Sequence, residues 1–223
     1  MFNEEYDVAK LRKIGEFNHY DAFSISSWIN TKSDSIGSTQ TIMGNTGHVF
    51  QYHRGWDMAL DSSQHIKVRL IHRLPDEIIS VSTKKPVKPN EWQHVAFTYD
   101  GSKKADGIQI FLNGEKVETK INFDKLKRSI IPINQNMKPD TIPITVGKSN
   151  RKWMGDLGLF NGAIDEIKIY DRQLSQWEMS ILGEANLDKN NPEIQHEYWA
   201  LNDASLKKSR IKLKQTRKEL SAI

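Results

Sequence analysis

The chain has no cysteine among its 223 residues. That excludes disulfide staples, thiolate zinc and iron–sulfur sites, covalent haem attachment and a cysteine nucleophile, so the fold must rest on its own core. Long apolar runs are missing as well. No segment approaches the roughly 20 apolar residues of a membrane-spanning helix. The start, MFNEEYDVAK, is acidic where a signal peptide is basic and then apolar. The expectation is a soluble chain with no membrane insertion. Neither sign of charge dominates, with 32 Lys plus Arg against 28 Asp plus Glu, and the surplus of +4 is local. Residues 206–223 hold seven basic groups and one acidic group, leaving a net of −2 on the other 205 residues. These basic residues have no aromatic interleaving and no accompanying nucleic-acid motif. They read as a solvated helix face, or one docked on an acidic neighbour, rather than as a nucleic-acid site.

What is present is strand pattern. In Phe23–Ile29 (FSISSWI) apolar residues alternate with serines, as in a half-buried strand. Similar runs lie at His48–Tyr52, Trp56–Leu60, Ile66–Leu70, Ile78–Thr83, Trp92–Tyr99, Ile108–Leu112, Lys116–Ile121, Ile142–Val146 and Ile164–Tyr170. With no helical pattern between them, they predict an all-β antiparallel sandwich rather than βαβ units. Asn113-Gly114, inside IQIFLNGEKVET, predicts a type I′ hairpin, whose two central residues need positive φ. The stretch from Phe123 to Asp140, with Pro132 and Pro139, reads as a surface excursion.

After Tyr170 the pattern changes. Ser175 followed by Glu178 is a capping box for one short helix, and LDKNNP is linker-like. From Pro192 the chain reads as one helix in which Trp199, Leu206, Leu213 and Leu220 recur every seven residues. Asn202, Ser209 and Thr216 break the second seam of a coiled coil, so the stripe predicts a helix lying on another surface. The organisation expected is a sandwich over residues 1–183, a linker over 184–192 and a helical appendage over 193–223, with the start of a further domain as one reading of that appendage.

Three blocks in order, FSISSWI, WQHVAFTYDGS with GIQIFLNGEKV, and FNGAIDEIKIYDRQLSQWEM, resemble laminin-G-like domains of the concanavalin A-like lectin/glucanase jelly-roll type. The resemblance spans about residues 15 to 182 and implies two packed antiparallel sheets. RLIHRLPDEIISVSTKKPVKPNEWQHVAFTYDGS also resembles a laminin-G-like insert of large exported bacterial proteins with cytochrome-c-like domains, although this chain has no haem motif. By that resemblance the chain is expected to be an extracytoplasmic module, periplasmic or secreted, with neighbouring domains as partners.

For catalysis, glycosidases of this fold carry acids at alternate strand positions, so that two carboxylates face one cleft. No such run occurs. Asp76-Glu77 and Asp165-Glu166 are adjacent pairs, expected to point to opposite sheet faces, and Glu193 with Glu197 lies in the helical tail. No Gly-x-Ser-x-Gly elbow and no HExxH pair is present. The expectation is therefore a non-enzyme, with a glycoside hydrolase as a remote alternative. The resemblance implies a structural calcium, with Asp165 as carboxylate and Gly44 or Asn45 as carbonyl donor; the plainer reading is that Asp165 only bonds a neighbouring backbone group.

Sugar recognition on such sandwiches uses exposed aromatic rings. Of six tryptophans, Trp28 and Trp92 fall in strand motifs and are expected in the core, Trp177 opens the short helix, and Trp199 belongs to the tail. Trp56, with Tyr52 and Arg54 in YHRGWD, and Trp153 in NRKWMGD are the candidates for a ligand platform, the alternative being packing at a loop base. The expected function is non-catalytic carbohydrate binding; the alternative is a structural or protein-interaction module with no sugar ligand.

Overall fold

The computed structural model describes residues 9–11, 14–47, 52–133, 136, 142–149, 158–186 and 191–221. Twelve strands run β1 (Ala9–Leu11), β2 (Phe23–Thr31), β3 (Gln40–Gly44), β4 (Gly55–Leu60), β5 (Ile66–Arg73), β6 (Glu77–Thr83), β7 (Gln93–Tyr99), β8 (Ile108–Leu112), β9 (Glu115–Lys116), β10 (Thr119–Asp124), β11 (Ile144–Val146) and β12 (Gly162–Tyr170). Three helices follow: α1 (Gln176–Leu182), α2 (Pro192–Asn202) and α3 (Ala204–Leu220). The strands form two antiparallel sheets, seven-stranded in the order β1-β11-β3-β4-β5-β6-β10 and five-stranded in the order β12-β2-β7-β8-β9.

Alternation along β2 and β7 builds the interior. Phe23, Ile25 and Ile29 face inward opposite Val95, Phe97 and Tyr99, and all are buried. Phe23 is the hub, stacked on Phe17 at 4.3 Å between centroids and edge-on to Phe97 and Tyr99 at 5.6 and 5.7 Å. Such geometry adds about 0.5–1.5 kcal/mol per pair beyond area burial. The Tyr99 hydroxyl donates to the His19 carbonyl at 2.7 Å, which lets a polar ring tip lie inside the core.

Part of the outer face of the five-stranded sheet is also covered, because Met179 of α1 and Leu174 just before it pack on Ala96 and Phe111. The capping box is present: Glu178 donates its N–H to the Ser175 hydroxyl and accepts the Ser175 N–H. The hairpin fixes the helix from below. Asn113 and Gly114 have φ of 50° and 77°, as the type I′ turn requires. The Gly114 carbonyl accepts from Gln176 Nε2 and Ser180 Oγ. A Cβ on Gly183 would sit 2.1 Å from the Gly114 nitrogen, so only glycine permits this approach.

Several expectations change. Tyr52 and His53 form a turn with φ of 54° and 59° rather than the end of a strand; residues 48–51 lie outside the described residues. Phe123 and Asp124 belong to β10, and Leu126, Ile130 and Ile133 are buried, so residues 123–133 return apolar side chains to the protein interior instead of forming a surface excursion; residues 134, 135 and 137–140 lie outside the described residues. The tail is two helices, because Asp203 leaves the helical conformation and accepts the N–H groups of Ser205 and Leu206 as the cap of α3. α3 touches the sandwich through Lys214, whose Nζ lies 3.0 Å from Asp21, and Arg217, which donates to the Asp100 carbonyl. None of its described residues is buried, and Trp199, Leu206, Leu213 and Leu220 stay exposed, so the apolar stripe is not laid on the sandwich.

Two stability outcomes follow. Gly183→Ala must displace backbone and is expected to cost about 1–3 kcal/mol in urea unfolding, the range for overpacked sites. Truncation before Asp203 removes the Lys214–Asp21 ion pair, worth about 0–1 kcal/mol, and the Arg217 hydrogen bond to the Asp100 carbonyl, worth about 0.5–1.5 kcal/mol, so the melting temperature should fall by only a few degrees.

Candidate functional site

On β2 the residues that alternate with the core set are Ser24, Ser26 and Trp28, and on β7 they are His94, Ala96 and Thr98, all directed to the outer face. Beside α1 this face opens into a groove of about 520 Å³. β2 contributes Trp28, and the residue before β7 contributes Trp92. Asp165, Glu166 and Lys168 come from β12, and Ile181, Leu182 and Glu184 from α1 and the turn after it. Trp92 is 48% exposed, and Trp28 is partly buried with its ring edge-on to His94 at 5.7 Å.

A β-bulge brings the charged groups together. Asp165 pairs with Trp28 and Lys168 with Ser26, so three steps on β12 oppose two on β2. Glu166 takes up the extra residue at φ 51°, a left-handed conformation that glutamate seldom adopts. The adjacent acids Asp165 and Glu166, expected on opposite faces, therefore line the same groove. Asp165 Oδ1 accepts the Glu166 N–H at 2.8 Å, and Lys168 Nζ donates to Glu166 Oε2 at 2.5 Å. Glu184, just beyond the helix, is also left-handed at φ 54°.

The sequence-predicted platform is not assembled. Trp56 is 0% exposed, packed against Phe23 and Phe97, with its Nε1–H donated to the Gly15 carbonyl at 3.1 Å. Its apolar ring and single donor are both satisfied inside the sandwich, so it offers no stacking surface. Tyr52 is exposed but lies beneath the Arg73 guanidinium, 5.1 Å from the ring centre. Arg54 is turned to His72: its Nε donates to the His72 carbonyl at 3.2 Å, and its Nη2 lies 3.1 Å from the imidazole Nε2. His72 Nδ1 donates to the Ser129 carbonyl at 2.6 Å, which leaves Nε2 to accept from Arg54. Trp153 lies outside the described residues.

The proposed calcium pair does not fit either. Gly44 is on the seven-stranded sheet, and its carbonyl accepts from the Thr145 hydroxyl at 3.3 Å. Asp165 is on the five-stranded sheet, in a groove that does not include Gly44. The two expected donors thus lie on separate sheets, and no group of three or more His, Asp or Glu side chains able to hold a metal ion occurs among the described residues.

Trp28 and Trp92, expected in the core, are the aromatics of the groove. The signal was in the sequence: Trp28 shares the serine face of FSISSWI, and Trp92 ends the polar stretch KKPVKPNEW. Glu184 and the bulge had no comparable signal.

A two-sheet antiparallel sandwich with an aromatic groove beside one sheet defines a lectin-like jelly roll. The chain belongs to the concanavalin A-like lectin/glucanase superfamily, whose laminin-G-type family model matches residues 3–180. α2 and α3 lie beyond that match. Among solved structures, it is similar to the Ruminococcus gnavus IT-sialidase CBM40 bound to α2,3-sialyllactose, at 17% identity and TM-score 0.55, covering 74% of this chain and 83% of that one. It is also similar to the leech intramolecular trans-sialidase, at 18% identity and TM-score 0.56, covering 77% of this chain and 24% of that one. The receptor-binding domain of botulinum neurotoxin D is similar too, at 15% identity and TM-score 0.54, covering 82% of this chain and 42% of that one. At these identities the likeness establishes the fold, and binding modules as well as enzymes share it. No curated protein matches the sequence.

His94, 1% exposed under Trp28, has neither ring nitrogen hydrogen-bonded among the described residues. Burial, with the Lys168 charge adding, lowers its pKa from 6.5 to about 4. Between those values the unfolded chain binds more protons than the folded one. Stability from this group is thus complete above about pH 6.5 and falls toward about pH 4, by up to about 1.4 kcal/mol per pH unit. His19, also lowered to about 4 mainly by burial, acts in the same direction. Urea unfolding of His94→Gln should show a smaller loss of stability between about pH 7 and pH 4.5 than the unsubstituted protein.

Proposed function

We propose that the chain is a non-catalytic carbohydrate-binding module and that its ligand lies in the groove beside α1. The observation that carries this reading is the pair Trp28 and Trp92, one with nearly half its surface open to solvent, flanked by three carboxylates and one lysine. An indole face stacks on the C–H face of a pyranose, and carboxylates accept sugar hydroxyls. A carbohydrate-binding module and a toxin receptor-binding domain among the similar structures support a binding role for this fold.

Hydrolysis is disfavoured by the state of the acids. An acid catalyst is a carboxyl held in an apolar pocket. Asp165, Glu166 and Glu184 are exposed, and Glu166 is engaged by Lys168. The module reading extends to its context: a sandwich over residues 1–183 within a larger exported bacterial protein, with the tail leading toward a neighbouring domain. The second reading, a protein-interaction module, is favoured by one observation, the exposed Trp199 on helices that lie beyond the family match.

Glycan-array screening followed by calorimetry is the test. A glycan that binds the unsubstituted chain should lose at least about tenfold in affinity in Trp92→Ala, the scale of one aromatic anchor, with the far-ultraviolet spectrum unchanged. Hydrolysis of any polysaccharide by the purified chain would sink the non-catalytic reading, and an array silent throughout would favour the interaction module.

A further inference from the structure

The charge balance of the groove deepens this reading, on which the following rests. Four ionisable side chains line it: Asp165, Glu166 and Glu184 against Lys168. The single cation is consumed internally, since Lys168 Nζ is bound to Glu166 Oε2 at 2.5 Å. That leaves the Asp165 and Glu184 carboxylates with no cation among the groove's described lining residues to offset them. They come from different elements, the edge strand β12 and the turn after α1, and line the same groove as Trp28 and Trp92, Asp165 as the cross-strand partner of Trp28. His94, buried beneath Trp28 with both ring nitrogens lacking a hydrogen-bond partner among the described residues, adds no positive charge at neutral pH, because burial keeps its imidazole neutral.

We infer that the groove selects its glycan by charge, binding a saccharide with an unsubstituted amine more tightly than its N-acylated counterpart and rejecting acidic sugars. The physical grounds are direct. A carboxylate accepts hydrogen bonds and offers none, so it matches hydroxyls and is matched best by an ammonium. A ligand carboxylate or sulfate would instead meet two like charges at the rim of an apolar face. Each opposed pair at an exposed site changes affinity by up to about fivefold, so the two carboxylates together reach about an order of magnitude, and salt weakens both.

The test is calorimetric titration of the full chain with a glucosamine trisaccharide, an N-acetylglucosamine trisaccharide and 3′-sialyllactose, at low and high salt. The expected order is amine first, N-acetyl second by about tenfold, and sialyllactose without measurable binding, with the amine preference shrinking at high salt. In the double variant Asp165→Asn, Glu184→Gln the ratio of amine to N-acetyl affinity should fall about tenfold. Both positions are exposed and asparagine retains the acceptor for the Glu166 N–H, so the fold should persist, as circular dichroism would verify. Binding of sialyllactose as tight as that of the neutral sugar, or an amine preference untouched by the double variant, would overturn the charge filter while leaving the carbohydrate reading intact. No binding by any of the three sugars, with a silent array, would overturn both.

Discussion

The close approach of the hairpin turn to α1 sets the position of everything on the outer face of the five-stranded sheet. Gly114 turns the chain with positive φ and offers its carbonyl to Gln176 and Ser180, while Gly183, having no Cβ, lets the two backbones meet. From this contact the helix lays Met179, with Leu174 just before it, on Ala96 and Phe111, and its C-terminal turn and the residues after it deliver Ile181, Leu182 and Glu184 to one side of the groove. Ser24 holds the segment that enters the helix, its hydroxyl accepting the Leu174 N–H and donating to the Arg172 carbonyl. A short helix of seven residues has little stability alone, so tertiary contacts must hold it.

The same sheet face shows why residues adjacent in sequence do not have fixed sides. A regular β12 would send Asp165 and Glu166 in opposite directions. The bulge opposite Ser27 spends one residue without pairing it, and the left-handed Glu166 re-aims the strand so that Asp165, Glu166 and Lys168 converge. Two glutamates in a conformation normally left to glycine, Glu166 and Glu184, flank one groove. Strain of this kind persists only where the surrounding structure over-determines it.

Legibility in the sequence followed the range of the interaction. The strand pairs, the Asn113-Gly114 turn and the Ser175 capping box were all readable, because each depends on a period of two or on side chains within four residues. The roles of Trp56, Trp28 and Trp92 were not read correctly; for Trp56, the polar neighbours in YHRGWD describe the local chain and not the aromatic cluster that receives the ring. Alternation did carry the answer for Trp28, which shares a face with Ser24 and Ser26. The tail was misread at Asp203, where a heptad of apolar residues crosses a helix boundary that the aspartate caps.

By itself, the sequence determined the family, through three motif blocks in order, and also the antiparallel sandwich and the separation of a mildly acidic body from a basic tail, which rest on local alternation and composition. The tertiary structure alone decided which tryptophans are open to solvent, that Asp165 and Gly44 stay on separate sheets, and that three acids gather around one lysine. Those facts depend on a bulge, a glycine-to-glycine contact and the register of strands far apart in the chain, none of which local patterning specifies.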